Sequence, residues 1–113
     1  MTAVAVLALA PTGASAGPRQ FSIIEDDAVF LGLTQRSPDA ALAEAKGLGA
    51  DAVRVVLSWR RAAPASASRF APPGFDASNP NAGYDWGASD AAVSRARHNG
   101  LKVVLDISPS IPY

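Results

Sequence analysis

The chain has 113 residues, 49% of them hydrophobic, with ten basic residues against ten acidic ones. That is the size of one small domain with enough apolar material for a core, and zero net charge without runs of like charge argues against nucleic acid or an anionic membrane surface as partner. Cysteine is absent, which excludes a disulfide scaffold, a thiolate metal site and a cysteine nucleophile.

The first segment reads as a leader. Residues 3–10 (AVAVLALA) form a short apolar run, and Ala14-Ser15-Ala16 fits the small-x-small cleavage pattern of a secretory signal peptide, although no Lys or Arg precedes the run. The expectation is a signal peptide over residues 1–16, cleavage near Ala16 and a secreted mature segment over residues 17–113. A membrane span needs about 20 apolar residues, so none is expected here.

Residues 20–24 (QFSII) read as a first strand, followed by the acidic loop Glu25-Asp26-Asp27. Residues 28–36 carry no assignment. Ser37-Pro38-Asp39 marks a helix start: Ser37 suits the cap, Pro38 the first turn, and Asp39 the positive end of the dipole. The helix is expected to about residue 48, with Leu42, Ala45 and Leu48 on one face and Gly49 as a left-handed terminator. Residues 52–58 form a second strand on which Val53, Val55 and Leu57 point to one side and Arg54, Val56 and Ser58 to the other. Arg54 is the anomaly in this apolar run. A charge on a strand buried on both faces is too costly to stand unpaired, so it demands a carboxylate partner.

Residues 60–85 contain Pro64, Pro72, Pro73 and Pro80 together with Phe70, Phe75 and Tyr84. So long a connection is often a binding loop, and packing is the expected use of its aromatics. A second helix is expected over residues 85–99, capped by Asp85, with Trp86, Val93 and Ala96 on one face and Gly100 as terminator. His98 then lies at the helix's negative end, where a cation is favoured, and needs no catalytic or metal role. Residues 101–107 form a third strand, broken by Ser108-Pro109.

Strand, helix, strand, helix, strand is the alternation of a parallel sheet, either an open doubly wound sheet or a barrel. Both place functional residues beyond the C-terminal ends of the strands. A nucleotide-binding sheet wants a glycine-rich turn after strand one; EDDAVFLGLTQRS has one glycine and three acids, which favours the barrel.

Three segments carry a family resemblance: LGADAVRVVLSWRRAAP, FAPPGFDASNPNAGYDWGASDAAV and ARHNGLKVVLDISP. In this order they resemble the N-terminal part of retaining glycoside hydrolases on a (β/α)8 barrel, the cellulase-like clan, over about residues 20–109. The resemblance implies an α/β fold, a partial TIM (β/α)8 barrel comprising its first two and a half β/α units (β-α-β-α-β), since a whole barrel takes around 250 residues. It implies that Arg54 reaches toward a nucleophilic glutamate near the end of strand seven, a contact that explains Arg54 better than Asp106, the in-chain acid on the neighbouring strand. Trp59, Asp106 and Ser108 are expected near the sugar cleft. The acid/base and nucleophile of the clan, roughly 5 Å apart in retaining enzymes, belong to strands four and seven, beyond Tyr113. Glu25, Asp26, Asp27 and Asp106 are accordingly expected to serve as caps, solvated loop acids and structural or substrate hydrogen-bonding groups, with no catalytic residue assigned. No histidine follows Asp106, which points to a divergent branch rather than the best-known cellulase family. The expected partner is an oligosaccharide, polysaccharide or glycoside, with neither cofactor nor metal. The alternatives are a non-catalytic secreted carbohydrate-binding barrel and a small α/β binding domain.

Overall fold

The computed structural model describes residue 17, residues 20–108 and residue 113. The expected signal peptide over residues 1–16 and the break at Pro109 lie outside the described residues. The chain forms a mixed α/β unit in the order β1 (Ile23–Glu25), α1 (Asp27–Phe30), α2 (Pro38–Gly47), β2 (Ala52–Ser58), α3 (Trp59–Ala62), α4 (Gly87–His98) and β3 (Lys102–Ser108). The three strands make one parallel sheet in the order β1-β2-β3.

Local chemistry accounts for the two long helices. The Ser37 side chain accepts the Ala40 N–H, Pro38 occupies the first turn, and Gly49 turns the chain out at φ +90°. α4 starts one residue beyond Trp86, which supplies no side-chain cap, while the Asp85 carboxylate accepts the Gly87 N–H at 3.0 Å. Three basic residues, Arg95, Arg97 and His98, close its last turn. Arg95 Nε lies 3.8 Å from Asp39 Oδ2, linking α4 to the start of α2.

The core lies on one side of the sheet. Leu42 and Ala45 of α2, Ala92 and Ala96 of α4, and Val53 and Val55 of β2 belong to a single buried cluster with Phe30. Both crossover helices therefore cover the same face. Among the described residues no charged or polar side chain is fully buried. The other face carries Ile23, Glu25, Arg54, Val56, Val104 and Asp106, by register and strand alternation.

Several sequence-based expectations are corrected. β1 includes Glu25, the residue assigned to the loop after it. Leu48 is 76% exposed because the helix ends at Gly47 and leaves Leu48 as its cap, off the buried stripe. The unassigned residues 28–36 begin with part of α1, whose Val29 and Phe30 are buried. α4 buries Ala92 and Ala96 while Trp86 lies before it and Val93 is half-buried. The long connection after β2 is shorter than expected, since α3 occupies its start, capped by Ser58.

Candidate functional site

On the uncovered face, the central strand presents Arg54, its third residue, between acids from both neighbours. Glu25 stands opposite Arg54 in the β1–β2 register, and Asp106 stands opposite Val56, one pleat further along β3. Arg54 Nη1 donates to Glu25 Oε2 at 2.5 Å and Nη2 donates to Asp106 Oδ2. One guanidinium thus joins all three strands. The hydrogen bond to Asp106, reinforced by the nearby Glu25 charge, holds the Arg54 pKa above its ordinary value.

This geometry overturns two expectations about Arg54. It is not sealed inside a strand buried on both faces: its side chain is 40% exposed, with Glu25 at 44% and Asp106 at 42%. Nor does it lack a convincing partner within the chain, because Glu25 and Asp106 both pair with it. Glu25 was the missed residue. The signal for it was parity: once β1 extends through Glu25, Ile23 and Glu25 share a face, and parallel register brings Glu25 level with Arg54.

The other two acids of the loop have structural duties. Asp26 caps α1 by accepting the Val29 N–H at 3.2 Å, and Asp27 Oδ1 accepts the Val56 N–H at 2.8 Å. The latter continues β2's hydrogen bonding past the point where β1 ends, satisfying a donor that a short neighbouring strand leaves open.

Trp59 opens α3 and donates its indole N–H to the Tyr84 hydroxyl at 3.3 Å. Tyr84 stacks on Trp86 at 5.0 Å, Phe75 meets Tyr84 edge-on at 5.5 Å and Tyr113 at 5.6 Å, and the Tyr113 hydroxyl donates to the Pro64 carbonyl. These aromatics fasten the proline-rich connection beside the strand ends, the packing role expected of Phe75 and Tyr84. Phe70 is the exception at 81% exposure. Among the described residues no hydrogen bond or ion pair joins Trp59 to Arg54 or Asp106. Ser108 pairs with Ser58 in the β2–β3 register, two residues beyond Asp106 on the same face. The four candidate positions therefore divide into the Arg54–Asp106 pair, Ser108 further along the same face, and Trp59 in the aromatic cluster.

A cavity of about 170 Å³ opens between β2, α3 and the start of α4, with Leu31, Val56, Arg61, Asp85 and Ser89 in its wall. It is smaller than the roughly 300–1,000 Å³ of pockets that engulf a small-molecule ligand. Among the described residues no group of three His, Cys, Asp or Glu side chains is arranged to hold a metal ion, and no helix is long and apolar enough to cross a membrane. No protein-family model, curated protein or solved structure matches the chain.

Proposed function

We propose that this chain is the N-terminal part of a secreted retaining glycoside hydrolase of the cellulase-like clan, its sheet the first three strands of a (β/α)8 barrel. One observation carries the reading: strands added in sequence order, both crossover helices on one face, and the opposite face without a helix and bearing Glu25, Arg54 and Asp106. A doubly wound sheet shares this layout within each βαβαβ half but wants a glycine-rich turn after its first strand, where this chain has one glycine and three acids, which favours the barrel. A sheet that keeps adding strands on one side with helices always outside closes on itself, turning the bare face inward and the strand ends toward a common mouth.

In that arrangement Arg54 lines the barrel interior, with Asp106 and Ser108 at the rim of the sugar cleft and Trp59 beside it. The double displacement belongs to two glutamates at the ends of strands four and seven, outside this chain, with Arg54 positioning the nucleophile. The guanidinium has five N–H donors, so its two in-chain partners leave donors for a further carboxylate. The test is expression of the complete reading frame and NMR observation of the first-formed sugar from an aryl glycoside. Turnover with the anomeric configuration retained is expected; absence of turnover across a panel of aryl glycosides, or inversion, contradicts the proposal.

A further inference from the structure

We infer that Asn99 is a site of spontaneous hydrolytic deamidation whose rate is governed by the hydrogen-bonded C-terminus of α4, an inference independent of the hydrolase reading. Of the three asparagines, Asn79 precedes Pro80, Asn81 precedes Ala82 and Asn99 precedes Gly100. Deamidation begins when the backbone nitrogen of the following residue attacks the asparagine Cγ. The new C–N bond closes a five-membered succinimide, the attacking nitrogen gives up its proton, and Nδ2 leaves as ammonia. Water then opens the ring at either carbonyl, leaving aspartate or isoaspartate. Proline has no N–H to lose and the Ala82 Cβ crowds the attack, whereas glycine offers an N–H and no Cβ.

In the closed helix end the attack cannot occur. Asn99 Nδ2 donates to the Arg95 carbonyl at 2.9 Å, and the Gly100 N–H donates to the Arg97 carbonyl at 3.0 Å. At an Asn99 ψ of 9° the Gly100 nitrogen nearly eclipses the Asn99 nitrogen, while the succinimide needs it to eclipse Cβ. The reaction therefore runs through opening of the last turn of α4, a local event that does not require global unfolding. Its products do not restore the cap. Both lose the Nδ2 donor to Arg95 and carry a carboxylate beside the negative end of the helix. Isoaspartate also adds a methylene to the backbone shortly before Leu101, whose N–H donates to the Ala96 carbonyl and whose side chain is buried. Modification thus loosens the step from α4 into β3.

The test incubates the product of the complete reading frame in heavy-oxygen water at mildly alkaline pH. Label at residues 79, 81 and 99 is mapped by peptide mass spectrometry, beside a synthetic peptide of residues 95–103 and the protein in urea. Label is expected first at Asn99, with isoaspartate among the products, at a rate about tenfold or more below that of the peptide and rising to the peptide's rate in urea. Faster labelling at Asn79 or Asn81 overturns the site. A folded-state rate equal to the peptide's overturns control by the helix end. Asn99→Gln keeps an amide there but needs a six-membered ring, so it is expected to take up far less label in urea than the parent; equal labelling overturns the succinimide route.

Discussion

A guanidinium is a rigid fork of N–H donors, and on β2 that fork is spread over two strands, Nη1 to Glu25 and Nη2 to Asp106. Because the pair of acids raises the folded-state pKa of Arg54 above its ordinary value, the associated stabilisation is fully present below that ordinary value and is lost only as pH rises through the higher folded one. Asp76 has the opposite sign. The Ser78 hydroxyl, at 2.6 Å, and the Ser78 N–H, at 2.9 Å, both donate to its Oδ1 and lower its pKa below the ordinary 3.8. The contribution of that turn is complete above 3.8 and disappears as pH falls through the lower folded value. An NMR titration of the Ser78 amide is expected to give a midpoint below 3.8; a midpoint at or above 3.8 contradicts the turn. At this scale the sequence was half legible. The cost of an unpaired charge announced that Arg54 needs a carboxylate, and strand parity pointed to Asp106, but Glu25 was hidden because a three-residue strand gives too little alternation to place its last residue.

Among the elements, α2 shows how local signals and packing combine. Ser37, Pro38 and Gly49 define its ends by backbone chemistry alone, and these were readable directly. Leu42 fastens it to the sheet: the side chain is fully buried in the cluster with Val53 and Val55. Leu42→Ala is expected to cost about 2–5 kcal/mol, from lost transfer energy and the cavity left behind, measured as the change in unfolding free energy by urea titration of the product of the complete reading frame. A loss below 1 kcal/mol would mean that α2 does not anchor the core. α1 was illegible for a physical reason. Four residues carry no helical period, and its stability comes from Asp26 capping and from the burial of Val29 and Phe30 against other elements. α3 escaped for the same reason, its Ser58 cap being the last residue of β2. By contrast β2 was readable to its ends, because an apolar run bounded by Gly49 and Arg60 leaves little alternative.

For the whole molecule, the alternation of strands and helices was legible, and the parallel sheet in sequence order follows from it. What the pattern did not reveal is how open the sheet is. Leu105 and Ile107 on β3 are 50% and 67% exposed, although they lie on the same side as the buried Val53 and Val55. Helix α4 covers the start of that side and leaves its far end bare. A parallel edge strand with exposed apolar side chains is unfavourable in water and invites pairing. In the barrel reading, a fourth strand and the helix before it cover that edge. The most direct test is to purify residues 17–113 alone and combine sedimentation with thermal unfolding. The account predicts association, or a poorly packed state without a sharp transition; a soluble monomer with one sharp cooperative transition would contradict it.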